Sequence, residues 1–185
     1  MANKIHYGLK NVYYAKITIG TNGNPVYATP VAMPGAVSMA LNKDQEITNI
    51  GADDNDKYVQ IAENNGYTGT LELLALPDSF KTDILGMTAS TSTGTILESA
   101  SDQASHFALL FEFSGDEKKT RHCLYNCFAT KPNLESSTKG ATVEAKSITM
   151  DITASKAING EAIKYSCIES SNSVYANWFT AVQTA

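Results

Sequence analysis

Phe107-Ala108-Leu109-Leu110-Phe111-Glu112-Phe113, then Ser114-Gly115-Asp116-Glu117-Lys118-Lys119, then Arg121-His122-Cys123-Leu124-Tyr125-Asn126-Cys127-Phe128-Ala129 is the run that decides the fold. Its first arm sets Phe107, Leu109, Phe111 and Phe113 at period two, the repeat of a strand with a buried face. The middle carries turn chemistry: Gly115 frees the backbone, Asp116 offers a short side-chain acceptor, and the charges hold the segment in water. The return arm alternates again, with Cys123, Tyr125, Cys127 and Ala129 on one side and His122, Leu124, Asn126 and Phe128 on the other. Apolar residues on both sides imply that neither face simply meets water. Residues 107–130 are therefore expected to form one long antiparallel hairpin at the centre of a β-rich domain. Phe107, Leu109, Phe111, Phe113, Tyr125 and Phe128 are its candidate core or assembly residues, one face being available to other protein chains.

Working outward, the same alternation predicts strands over residues 12–19, 26–33 (bent at Pro30), 36–41, 57–63, 67–76, 143–154 and 163–168. Asn22-Gly23, Pro34-Gly35 and Asn64-Asn65-Gly66 read as turns, and residues 88–95 as a Ser/Thr/Gly loop. Two helices are expected. Residues 77–86 place Asp78 at the N-cap, Phe80 and Ile84 on one face and Gly86 at the stop. Residues 173–183 begin at a Ser173 cap and align Val174, Trp178 and Val182, with Tyr175 and Phe179 widening a face that must dock on something. Between the strands, residues 42–57 form the longest polar segment and are expected to be a loop. Only Ile47 and Ile50 are aliphatic there, too little apolar surface to offset an ordering cost of about 1–2 kcal/mol per residue. That segment is expected to be mobile when free and to order against a neighbouring chain, anchored by Ile47 and Ile50, with Asp53, Asp54 and Asp56 at the rim.

A chain of 185 residues fits one domain spanning 1–185, and 43% hydrophobic with 18% charged residues is ordinary for a globular protein. No window approaches the run of about 18 apolar residues that a membrane span requires, and the first residues lack a secretory apolar core. A formal charge of −5 with a single arginine, Arg121, argues against binding nucleic acid through its phosphates. No catalytic, cofactor or metal site is expected. Adjacent residues in a strand point to opposite faces, which separates His122 from Cys123. Cys123 and Cys127 stand about 13 Å apart along a strand, too far to share a zinc ion. The acidic run at residues 53–56 lacks the ligand spacing of a helix-loop-helix calcium site. His6 and His106 have no readable partner, and three cysteines read as reduced, inert thiols.

Several stretches, in this order along most of the chain, resemble the major tail proteins, or tail-tube subunits, of long-tailed bacteriophages. They are Lys10-Asn11-Val12-Tyr13-Tyr14-Ala15, Thr29-Pro30-Val31-Ala32-Met33-Pro34-Gly35-Ala36-Val37-Ser38, Asn64-Asn65-Gly66-Tyr67-Thr68-Gly69-Thr70-Leu71-Glu72-Leu73, Leu76-Pro77-Asp78-Ser79-Phe80-Lys81, and residues 107–113 and 121–127 of the hairpin. The resemblance implies a mainly β (α+β) fold, a β-sandwich or split barrel with one flanking internal helix and a C-terminal helix. It implies a non-enzymatic virion protein that self-assembles into stacked hexameric rings, forming the tube through which DNA leaves without specific binding. Implied partners are further copies of the chain, the tape-measure protein, the tail terminator and the distal tail protein, with assembly in the bacterial host cytoplasm. The alternative class is another β-sandwich virion joining or adhesin-like binding module.

Overall fold

β8 (Phe107–Phe113) and β9 (Arg121–Ala129) pair antiparallel and form the expected central hairpin. A computed structural model describes residues 7–136, 138, 146–169 and 173–184. In chain order the remaining elements are β1 (Leu9–Ile19), β2 (Pro25–Tyr27), β3 (Val31–Ala32), β4 (Ala36–Ala52), β5 (Asn55–Leu73), α1 (Asp78–Asp83), β6 (Thr88–Ser90), β7 (Thr95–Leu97), β10 (Ile148–Ser155), β11 (Lys164–Cys167) and α2 (Ser173–Ala176). The main sheet runs β2-β1-β8-β9-β10-β5-β4, with β11 added to β9 and β3 to β1, while β6 and β7 pair separately. Every pairing is antiparallel. The protein is mainly β, as expected, with two small helices among the described residues.

The sheet has two cores, one on each face. The first gathers Val12 and Tyr14, Leu71 and Leu73, Phe107, Leu109 and Phe111, Leu124, Met150 and Ile152. Side chains from distant positions in the strand order meet there, so the sheet wraps over itself as a sandwich. Helix α1 closes this core with Phe80, whose ring meets those of Tyr14 and Phe107 edge to face at 5.0 and 5.4 Å. The second core is smaller: Ala15, Ala108, Leu110, Cys123 and Tyr125 lie under Trp178, with Val174, Phe179 and Val182 packed around it. Strand β8 is thus buried on both sides, its odd residues in the first core and its even ones toward the second.

One charged residue, Glu112, is buried on that second face, and three side chains compensate it. Asn11 Nδ2 donates to Oε1 at 2.6 Å, Lys10 Nζ stands 3.2 Å from Oε1, and Arg121 Nε donates to Oε2 at 3.1 Å. Asn11 reaches it because a bulge between Lys10 and Tyr13 puts that residue at φ +49°. Arg121 is itself held in place: its guanidinium stacks on Tyr175 at 3.9 Å and Phe179 at 4.8 Å, and its Nη1 donates to Tyr175 O. The only arginine in the chain therefore ties the buried carboxylate to the C-terminal segment.

Several expectations are corrected. Residues 42–57 are not a loop: they continue β4 and open β5. Asn64-Asn65-Gly66 is not a turn but a bulge within β5, where the register moves from Asp44↔Gly66 to Gln45↔Asn64. Gly66, at φ +116°, is required because a Cβ there would run into the carbonyl of Ala154. A second bulge, between the pairs Phe107↔Cys127 and Leu109↔Leu124, breaks the alternation of β9. Cys123 and Tyr125 therefore face the second core while Cys127 and Ala129 face the first, instead of sharing a side. Pro77, not Asp78, occupies the N-cap of α1, and Asp78 lies in the first turn, bonded to Lys81 Nζ at 2.7 Å. Residues 88–95 contribute to the small β6–β7 hairpin. The C-terminal helix of residues 173–183 is a single α-turn followed by tighter turns (Trp178 N–H to Tyr175 O, Thr180 N–H to Asn177 O), because Asn177 and Thr180 are weak helix formers and Trp178 is drawn into the core. Residues 143–145 of one expected strand lie outside the described residues, as does His6.

Removing Arg121 alone leaves a carboxylate buried with fewer partners, whereas removing both partners leaves an apolar contact. Arg121→Ala should lower stability by about 3 kcal/mol, and Glu112→Leu combined with Arg121→Met should recover most of that loss. Urea unfolding midpoints of the three proteins check this.

Candidate functional site

Strand β10 pairs with β5 only between Leu73 and Tyr67. Beyond that point β4 and β5 continue alone as a two-stranded arm, paired from Gln45↔Asn64 through Ala52↔Asn55. At the usual rise per residue the arm extends about 30 Å from Lys43 to its tip. Asp53 and Asp54 form the two-residue tip, at φ +50° and +57°, the backbone of a type I′ hairpin turn. Asn55 Oδ1 accepts from the Lys57 N–H at 3.0 Å and secures the exit from it. Asp54, Asp53 and Asp56 are thus at the extremity of a ribbon, and Ile47 and Ile50 lie along it.

Every residue from 42 to 65 is exposed. Among them are Ile47 (59%), Ile50 (48%), Tyr58 (58%), Val59 (43%) and Ile61 (48%), an unusual set for one short ribbon. Strand alternation sorts them onto both faces. Ile47, Ala62 and Tyr58 share one face with Asn49 and Gln60, whose side chains bond at 2.8 Å. Ile50, Val59, Thr48 and Ile61 share the other, and nearer the body that face carries the directly opposed carboxylates Glu46 and Glu63. Opposed like charges destabilise a ladder, and an isolated two-stranded hairpin is marginal in water.

The residues of the central hairpin divide differently. Phe107, Leu109 and Phe111 are buried in the first core, and Tyr125 in the second, where its hydroxyl donates to Gln183 O at 2.7 Å. From Phe107 to Glu112 both faces of β8 are covered by the chain itself, and only Phe113 at its end is left accessible to another chain. Phe113 is half-buried beside His122, and Phe128 is exposed against His106. His122 bonds Ser166 Oγ at 2.8 Å and touches Phe111, whereas Cys123 points into the second core. The pair is therefore split between faces. Among the described residues no three His, Cys, Asp or Glu side chains gather as a metal ligand set.

The described residues thus form a β body with two packed cores and a projecting hairpin that carries exposed apolar residues on both faces. Residues 2–162 match the phage tail tube protein family, and the chain belongs to that family. Membership makes it a structural component of a phage tail rather than a member of an enzyme class. Among solved structures, the anti-feeding prophage cap, a tube-terminating cap, is similar at a TM-score of 0.41 and 12% identity, over 91% of this chain and 100% of that one. No curated protein sequence matches.

Burial holds the Cys123 thiol up at about 12 and raises that of Cys127 further, while Cys167 is half-buried on β11. A thiol, not a thiolate, is the dominant form of the first two at any pH the fold meets. In native protein at pH 8 a thiol-specific reagent should label Cys167 alone, and all three should react in denaturant. Rapid native labelling of Cys123 or Cys127 would contradict the buried placement.

Proposed function

We propose that the chain is the tail-tube subunit itself: residues 1–185 act as one domain, copies associate into hexameric rings, and stacked rings form the conduit for viral DNA. The observation that carries association is the arm. Its apolar residues on both faces have no cover among the described residues, and a second copy of the same chain is the cover that a tube supplies. Arm and body are different surfaces, so such a contact is heterologous, and heterologous contacts give rings when the rotation closes. Six-fold symmetry and DNA passage come from what tail-tube subunits of long-tailed phages do. Ile47 and Ile50 are the proposed anchors of the arm, with Asp53, Asp54 and Asp56 at its leading edge. Phe113 and Phe128 are the members of the central hairpin accessible enough to join an interface.

The charge of each copy, −5, suits a tube that DNA traverses, since a wall of that sign repels phosphates and forms no tight contact with them. The tape-measure protein, the tail terminator and the distal tail protein are the partners this role requires. Assembly takes place in the bacterial host cytoplasm, and the finished protein resides in the virion tail.

Replacing residues 45–64 by a two-residue Asn-Gly turn removes the arm and leaves both cores untouched. The shortened protein should stay soluble and melt within a few degrees of the full chain, yet form no tubes in negative-stain micrographs at concentrations where the full chain polymerises. Tubes from the shortened protein would remove the arm from the assembly mechanism.

A further inference from the structure

The arm departs from the edge of a second feature, an opening at one end of the first core. Between the root of β4–β5 and the β8–β9 hairpin lies an open cleft of about 320 Å³. That volume is within the range, about 300–1,000 Å³, of clefts that hold ligand groups. Met39, Leu41, Tyr67, Phe113 and His122 line it, and Lys164 of β11 stands at its rim. Met39, Leu41 and Tyr67 are only half-buried. A second lysine, Lys43, lies over the Tyr67 ring at 5.8 Å. The cleft is therefore an apolar, aromatic-walled site with two cations at its margin, the end of the first core that α1 does not close.

The arm has the opposite character. Residues 42–65 hold six carboxylates against two lysines, four of the five net negative charges of the whole chain. Three of those carboxylates, Asp53, Asp54 and Asp56, cluster at the tip, directly beyond the exposed Ile50↔Val59 pair. Resting on the reading that copies of this chain associate, we infer that the cleft is the receptor for the arm tip of the adjacent copy. Ile50 and Val59 enter between Met39, Leu41, Tyr67 and Phe113, and the tip carboxylates meet Lys164 and Lys43 at the rim. Apolar area is removed from water on both partners at once, and the charges set the direction of insertion. The donor is the tip of one arm and the acceptor is the root of the next, so each copy offers one of each. That is a head-to-tail contact able to pass around a ring.

Chains with a single accessible cysteine test the docking directly. One chain carries Cys167→Ser with Ile50→Cys; the other carries Cys167→Ser with Lys164→Cys and a size tag. The buried Cys123 and Cys127 stay in both. Ile50 and Lys164 are exposed and Cys167→Ser is a near-isosteric change at a half-buried position, and near-native melting temperatures verify that folding is retained. The two chains are mixed, assembled and oxidised mildly, and the expected product is a disulfide-linked heterodimer of tagged and untagged chains. Charge reversal supplies the second arm of the test. Lys164→Glu should cut assembly at least tenfold in concentration, and Asp54→Lys combined with Asp56→Lys on the same chain should restore it. Tubes that form without the heterodimer, or that ignore both charge changes, overturn the docking and leave the tube reading standing. Failure of even the unaltered chain to oligomerise at any concentration overturns both.

Discussion

A strand buried on both faces needs two covers, and that requirement governs this fold. In β8 the odd residues Phe107, Leu109 and Phe111 demand one apolar layer, and Ala108 and Leu110 demand another. Each fully buried large side chain contributes about 1.5–3 kcal/mol, so leaving either face in water forfeits a large part of a marginal total. Helix α1 supplies the first lid through Phe80, and the residues just after it add Ile84 and Leu85. The C-terminal segment supplies the second through Trp178, whose indole N–H donates to His122 O at 3.3 Å. The cost falls on Glu112, an even residue of β8 that shares the second face. Its burial is tolerated because Asn11, Lys10 and Arg121 all reach it, and because Arg121 in turn stacks on the lid.

The arm is the same sheet without covers. Where β10 ends opposite Tyr67, β5 loses one of its two neighbours and both faces open to solvent. The transition is built into the backbone. Gly69 lets β5 lie close against Ala40 of β4, and the Gly66 bulge bends the ladder where it leaves the body. At the start of β4, the end of the ladder away from the arm, Ser147 and Ser38 both donate to the Glu72 carboxylate, the latter at 2.6 Å, holding its pKa below the usual range. That end of the ladder has satisfied polar contacts, whereas the ribbon at the other end keeps exposed Ile, Val and Tyr. In a structural protein of a phage tail such a distribution has a use: apolar surface that one chain cannot bury is surface that a lattice of copies can.

The central hairpin was legible in the sequence because its period-two pattern reflects real burial, and Trp178, Val174 and Val182 announced a docking face before its target was known. The arm was misread for a physical reason. Both its faces mix polar and apolar residues, so alternation gives no contrast, and its composition matches that of a loop. The signals that point to strands were the β-branched Ile47, Thr48, Ile50, Val59 and Ile61, and an Asp53-Asp54 pair able to take positive φ. The bulge in β9 was invisible, since no glycine marks it, and it moved Cys127 and Ala129 to the other core. The cleft at the arm root depends on residues from five strands, and no spacing along the chain brings Met39, Phe113 and Lys164 together.

The central proposal is that the arm is an uncovered element completed by another copy, while the strands of the two cores are held without one. Amide hydrogen exchange on the free subunit and on assembled tubes separates the two directly. Body amides in β8, β9 and β10 should be strongly protected in both states. Ladder amides of residues 45–64 should exchange fast in the free subunit, where few buried contacts hold them, and become protected by orders of magnitude on assembly. Equal protection of the arm in both states would contradict the account.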